Sequence, residues 1–398
     1  MAKKILIVNK FYYQRGGDCI YSLNLERMLA AHGYEVAFFS MHYPENEESR
    51  YSSYFAPQVD FSGGVRDKIS AVKRILGMGD VVSRFKRILA DFHPDVVHLN
   101  NIHSYISPVV GALAKKAGCR VVWTLHDYKL LCPAYACLRG GESCELCYSD
   151  KSQVLKHRCM KGSLAASALA YIEAKKWNRG TLERFTDAFV CPSAFMRDKM
   201  LLGGFNADKL KVVCNFIDPV KIDRLSSLDC TQKADYYAYV GRLSQEKGVE
   251  TLLKAASELP YKLKVAGGGP LAEEMKDKYA GANVQFLGHI NAEAVSELLA
   301  HARCVVTPSE WYENNPLSVI ESLCAGTPVV GARIGGIPEL VKPENGLTYT
   351  PKSVKELSAC ICKVMESADY DYASIARASR KAFSAEVHMS LLEKVYNL

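Results

Sequence analysis

Short apolar runs of strand type recur along the whole chain, and segments with helical apolar spacing separate them. In the first half the runs are Lys3 to Asn9, Glu35 to Ser40, Asp95 to Leu99, Arg120 to Leu125, Asp187 to Cys191 and Lys211 to Cys214. In the second half one run ends at Gly241, and others span Lys262 to Gly267, Asn283 to Leu287, Cys304 to Val306 and a short stretch near Gly346. Strands that alternate with helices argue for a parallel sheet covered on both faces. The alternation occurs twice, on either side of polar, non-periodic residues 217–234, which read as a linker. The chain has 398 residues, enough for two or three sizeable cores. The expected fold class is therefore α/β, with two doubly wound domains.

Other classes are set aside on simple grounds. With 48% apolar and 23% charged residues, disorder is not expected. No run of about eighteen apolar residues occurs, so no spanning helix is expected. The opening M-A-K-K-I-L-I-V-N-K is too short in its apolar part for a signal-peptide core and reads as the first strand, so a cytoplasmic location is expected. No nucleic-acid partner is expected. The net charge of +7 divides into +9 over residues 1–200 and −2 over 201–398. So modest an excess can reflect solvation alone, or an anionic surface or acceptor facing the first half.

Chemistry concentrates in T-P-S-E-W-Y-E-N-N-P-L-S-V-I-E-S-L-C-A-G, Thr307 to Gly326. Asn315 suits a helix N-cap, Pro316 the first helical position and Gly326 the stop. Leu317, Ile320 and Cys324 fall on one face, and Glu321 borders that stripe. A carboxylate there is costly unless hydrogen-bonded, and the simpler reading pairs Glu321 with a nearby Lys or Arg. Glu313, however, lies on the loop feeding the same helix. Two carboxylates around one helix N-terminus, where N–H groups favour an anion, suit a ligand with many hydroxyls and a phosphate. A nucleotide sugar is such a ligand. In the first half, F-Y-Y-Q-R-G-G-D follows the first strand and precedes a helix, which opens a Rossmann-like unit. Gly16 and Gly17 could simply make a tight turn there. His126, in T-L-H-D-Y, closes a strand where such sheets bind ligands, and that role is favoured over a plain loop histidine. His98 and His103 are further acceptor-side candidates.

E-N-N-P-L-S-V-I-E, continued by S-L-C-A-G-T-P-V-V-G-A-R-I-G-G-I-P-E-L-V, resembles the E-x7-E signature of retaining glycosyltransferases of family 4. G-R-L-S-Q-E-K-G, from Gly241, is similar to a second marker of that family. The resemblance implies two facing Rossmann-like domains, the GT-B architecture. Residues 1–216 would bind acceptor and 217–381 nucleotide sugar, with the last helix, 382–398, crossing back onto the first domain. It implies transfer of a sugar from a UDP- or GDP-sugar to a hydroxyl of a saccharide or lipid-linked acceptor, with retention, in cell-surface polysaccharide synthesis. By resemblance the catalytic residues are His126, Glu313, Arg242 and Lys247. The donor-binding residues are Gly16, Gly17, Gly268, Asn315, Pro316, Leu317 and Glu321. Arg242 and Lys247 would neutralise the leaving diphosphate in place of a divalent metal, so no catalytic cofactor is expected. The chain departs from the family at Asn314-Asn315, where Gly and an aromatic are common, and at Cys19, where Glu is common. Competing readings are a GT-B nucleotide-sugar epimerase or hydrolase and a non-catalytic sugar-nucleotide-binding protein.

Two segments stand outside that signature. Val65 to Leu89 carries seven basic residues against two acidic ones, with Ile69, Val72, Ile75 and Leu76 at helical spacing. It reads as one packed surface helix with a solvated basic face, or as a site for anionic lipid headgroups on the inner face of the membrane. Five of the fourteen cysteines fall between Cys132 and Cys159. Cys144-x2-Cys147 with Cys132 and Cys159 could close a structural zinc site, and free thiols are the alternative. Relatives with a similar C-P…C-x2-C…C pattern tilt the expectation toward the metal.

Overall fold

The apolar runs become two six-stranded sheets in the computed structural model, which describes residues 3–61, 63–281 and 283–397. The chain divides into two units. Unit 1 is Met1–Arg139, Cys144–Val213 and Met389–Leu398, and unit 2 is Gly140–Ser143 and Cys214–His388. The sequence reading set these divisions at 216/217 and 381/382. The outermost residues it named, Met1, Ala2 and Leu398, lie outside the described set.

The strands of unit 1 are β1 (Lys4–Val8), β2 (Glu35–Phe39), β3 (Val96–Leu99), β4 (Arg120–Thr124), β5 (Ala188–Cys191) and β6 (Leu210–Val212), in the order β2-β1-β3-β4-β5-β6. Every neighbouring pair is parallel. Ile5, Leu6, Ile7 and Val8 are fully buried, as a strand covered on both faces requires. The C-terminal segment is tied to this sheet by polar contacts: the Tyr396 hydroxyl lies 2.6 Å from His98 Nδ1, and Arg120 Nε donates to the Val395 carbonyl at 2.9 Å.

Unit 2 contains β7 (Tyr236–Val240), β8 (Lys262–Ala266), β9 (Val284–Gly288), β10 (Val305–Thr307), β11 (Val329–Ala332) and β12 (Gly346–Tyr349), in the order β9-β8-β7-β10-β11-β12. Side chains of β7 alternate between two apolar layers. Tyr237 and Tyr239 pack with the helices Val249–Glu258 and Val354–Glu366, whereas Tyr236 and Ala238 pack with Leu317–Cys324. In both sheets the strand order reverses beside the first strand, between β1 and β3 and between β7 and β10. The crevices at the carboxyl ends of those strands are where open α/β sheets take ligands.

Several expected boundaries shift. Val65 to Leu89 is not one helix but two, Val65–Ile75 and Asp80–Phe92, because Gly77 and Gly79 adopt φ of +73° and +87°. Residues 163–185 also divide, into Leu164–Lys176 and Arg179–Phe185, where Asn178 caps the second by accepting from the Thr181 N–H. The 217–234 linker contains the helix Pro219–Ser226, capped by Asp218 with Pro at its start. The helix after the central loop begins one position later than expected. Pro316 is the N-cap of Leu317–Cys324, and Asn315 does not cap it.

Candidate active site

In unit 2 the reversal point brings together the loops that follow β7 and β10. The first carries Arg242 and Lys247, the second Ser309 and Glu313. Gly248, at φ +65°, lets the loops touch: a Cβ there would lie 1.9 Å from the Pro308 carbonyl. Lys247 Nζ lies 2.6 Å from Glu313 Oε1, and Ser309 Oγ donates to the same oxygen at 2.7 Å. Glu313 is 7% exposed. Burial opposes its charge, but the Lys247 ammonium and the Lys247 and Ser309 hydrogen bonds outweigh it and hold the carboxyl below its ordinary range. The Glu313 backbone is fixed as well. Gly336 N–H donates to its carbonyl at 2.7 Å, and a Cβ on Gly335 would lie 2.1 Å from that oxygen. Lys247 also sits 5.2 Å from the Trp311 ring centroid. Arg242 is exposed and, among the described residues, pairs with no carboxylate.

Glu321 is drawn to a partner that sequence reasoning did not name. Lys221, in the helix Pro219–Ser226, places Nζ 2.5 Å from Glu321 Oε1. The simpler expectation for this carboxylate, pairing with a basic side chain, therefore describes the structure. Asn315 is 4% exposed and is locked to Asn215, whose N–H donates to Asn315 Oδ1 at 2.9 Å and whose Nδ2 donates to the Asn315 carbonyl at 2.8 Å. The apolar face of Leu317–Cys324 is broader than expected. It buries Val319, Ile320, Leu323 and Cys324, while Leu317 is half-buried. Gly268 packs against His289, so that a Cβ would lie 2.5 Å from Nε2. The protein itself accounts for that glycine.

In unit 1 the corresponding point gathers different groups. His126 follows β4 and brings Nε2 to 2.9 Å from Asn100 Oδ1, with the Tyr21 ring edge-on at 5.0 Å. Burial lowers its pKa, against the opposing charges of Asp18 and Asp127, so the ring is neutral near pH 7. Gly16 caps the helix Gly17–Ala31 with an extended φ of −164°. A Cβ on Gly17 would meet nothing within 4 Å. Neither backbone strain nor packing explains this glycine pair, and the space beside it is open. His98 is a buried link between Tyr396 and Thr124 Oγ1, the latter at 2.7 Å. His103 stacks on Trp123 at 5.2 Å, and burial pulls its pKa to about 3.

The four thiols named for zinc share one neighbourhood: Cys132 meets Cys147, and Cys159 feels the charges of Cys132 and Cys144. Hydrogen bonds from Cys137, and then from Cys147, lower the pKa of the Cys132 thiol, and Cys137 was not among the four named thiols. Cys137 in turn lies 3.7 Å from the Tyr148 hydroxyl. Among the described residues, no group of three or more His, Cys, Asp or Glu side chains is arranged to hold a metal ion. Among the same residues, no helix is long and apolar enough to cross a membrane.

Comparisons with known proteins bear on the family and the fold. Residues 227–382 match the model for glycosyl transferases group 1, and residues 16–221 match that for Glycosyltransferase Family 4. An uncharacterized 42.6 kDa protein of the cps region of Klebsiella pneumoniae is 26% identical over 353 residues, 84% of this chain and 87% of its own. Among solved structures, Anabaena Alr3699/HepE in complex with UDP and glucose aligns over 100% of both chains with TM-score 0.65 and 18% identity. The lipopolysaccharide outer core galactosyltransferase WaaB aligns over 98% of both with TM-score 0.65 and 16% identity. Their fold is the GT-B architecture of two Rossmann-like domains. With more than half of its length matched by a single family model, this chain is a glycosyltransferase and belongs to Glycosyltransferase Family 4.

Proposed function

We propose that the chain transfers a sugar from a nucleotide-diphosphate donor to a hydroxyl of a saccharide or lipid-linked acceptor, with the anomeric configuration retained. The observation that carries this reading is the buried Lys247–Glu313 pair at the reversal point of the second sheet. Lys247, already oriented, and the exposed Arg242 grip the donor diphosphate and neutralise the charge that grows on the leaving phosphate. Glu313 takes hydroxyls of the donor sugar, with backbone N–H groups near Asn315, Pro316 and Leu317. Glu321 takes the ribose hydroxyls while it shares its charge with Lys221. His126, on unit 1, contributes a neutral imidazole, and the open space beside Gly17 suits close approach of a ligand. Among the described residues, no side chain stands out as a double-displacement nucleophile. The leaving phosphate oxygen therefore takes the acceptor proton, and two cations do the work of a metal. A UDP-sugar is the favoured donor, because the HepE structure is a complex with UDP and glucose. The cps-region relative and the outer core galactosyltransferase support a role in cell-surface polysaccharide assembly.

We further propose that the enzyme works in the cytoplasm against an anionic membrane surface. Val65–Ile75 supports this: Ile69 and Val72, expected on its packed stripe, are 50% and 39% exposed beside Arg66, Lys68 and Lys73. The test of the main reading is product analysis with UDP-sugars in EDTA, with and without a lipid-linked saccharide. Acceptor-dependent glycoside of unchanged anomeric configuration is expected. Acceptor-independent hydrolysis or epimerisation, an inverted product, or turnover restored only by magnesium would contradict it.

A further inference from the structure

We propose that Trp311 reads the donor sugar: its indole N–H donates to the oxygen of a sugar hydroxyl whose own proton goes to the Glu313 carboxylate. This role rests on the transferase reading above and falls to a residue that neither motif spacing nor the family resemblance singled out. Trp311 lies two positions before Glu313 in the loop after β10, and its carbonyl accepts from the Glu313 N–H at 2.9 Å.

The indole has one polar group, a donor that cannot accept. Its Nε1 is buried and has no hydrogen-bond partner, whereas a buried tryptophan N–H ordinarily finds one. The other two tryptophans of the chain follow that rule. Trp123 Nε1 donates to the Asn100 carbonyl at 2.9 Å, and Trp177 Nε1 donates to the Ile75 carbonyl at 2.8 Å. The face of the Trp311 ring is engaged instead, with Lys247 Nζ 5.2 Å from its centroid. A cation over the face leaves the N–H edge for another group. Burial opposes the Glu313 charge, and Lys247, Ser309 and after them the nearby indole favour it. The Lys247 and Ser309 bonds both go to Oε1, at 2.6 and 2.7 Å, and the indole acts from outside hydrogen-bond geometry.

A hydroxyl fits between these groups, and a phosphate does not. Phosphate oxygens only accept, and a carboxylate held in its charged form repels them. A hydroxyl accepts from the indole with a lone pair and donates its proton to the carboxylate. One hydroxyl therefore satisfies the unpaired N–H and Glu313 together. A donor with hydrogen at that ring position leaves both unmatched, and a site that hydrogen-bonds a substrate hydroxyl rejects such an analogue strongly.

The test compares wild type with Trp311→Phe, which keeps a ring face for Lys247 and removes the N–H. The substrates are the UDP-sugar that supports transfer and its monodeoxy analogues, with calorimetry on UDP alone and a thermal melt of each protein. Trp311→Phe should lower kcat/KM for the parent UDP-sugar by about 10- to 100-fold and leave UDP affinity unchanged. Removing one particular hydroxyl should cost wild type at least as much and the variant far less, because the two losses share one contact. Equal losses in both proteins for every deoxy analogue, a loss confined to UDP affinity, or wild-type transfer by Trp311→Phe overturns the contact and leaves the transferase reading intact. Wild type with its tryptophans isotope-labelled at the indole nitrogen gives a second readout that needs no variant to fold. One of the three indole N–H signals should move when the UDP-sugar binds and hold still with UDP alone. Three signals that ignore the sugar overturn the contact equally. Wild-type protein that turns over no nucleotide sugar removes the underlying reading, and the contact with it.

Discussion

Glu26, a half-buried carboxyl in the helix Gly17–Ala31, contributes to the pH response of unit 1. Burial raises it to about 7, and its hydrogen bond with Tyr12 pulls back only part of that shift. Its folded pKa then lies above the unfolded value of about 4.3. The folded state holds the proton more tightly, so the associated stability is fully present below about pH 4.3 and is lost as pH rises through about 7. Glu26→Gln should therefore melt at a higher temperature than wild type at pH 8 and at the same temperature near pH 4. A gap that stays constant across this range would show that protonation is not the cause. Glu26 was silent in the sequence because nothing in its helical spacing reports how deep its carboxyl lies. Glu313 and Lys247 were legible because they fall inside dense motifs. The partners Lys221, Ser309 and Asn215 were not, since Lys221 lies in the expected linker and the letters around Ser309 and Asn215 do not report which side chain each one meets.

At the scale of elements, strands were read well and helix breaks poorly. Apolar runs buried on both faces, such as Ile5 to Val8, leave a signal that no loop imitates. Between Val65 and Leu89 the basic, periodic pattern concealed a break at Gly77 and Gly79, although both letters were present. The break matters, because the shorter helix Val65–Ile75 packs through Ala71, Arg74 and Ile75 and leaves Ile69 and Val72 outside. An exposed apolar pair flanked by Arg66, Lys68 and Lys73 suits shallow insertion into an anionic bilayer. Ile69→Ser combined with Val72→Ser should weaken sedimentation with phosphatidylglycerol vesicles while leaving the thermal melt in place. Reversing Arg84 and Arg87 is a poorer test, since both guanidinium groups are tied to the Ser53 carbonyl. Unchanged vesicle binding by the double variant would remove the membrane role of this helix.

For the whole molecule, two parallel sheets with reversed strand order were foreseeable from alternation alone, and the family from the E-x7-E stretch and its continuation. The place of Cys137 beside Cys132 was not, because spacing cannot say which thiols meet. The central claim is that the cations of unit 2 hold the donor diphosphate. Arg242→Ala isolates that claim better than Lys247→Ala, because removing Lys247 strands the buried Glu313 carboxylate, whereas Arg242 is exposed and holds no carboxylate. The decisive measurement is single-turnover transfer from a UDP-sugar by wild type and by Arg242→Ala with an unaltered melting curve. The account predicts a rate lower by about 100- to 1,000-fold, the usual cost of one charge-stabilising donor. Transfer at the wild-type rate by a folded Arg242→Ala would contradict it.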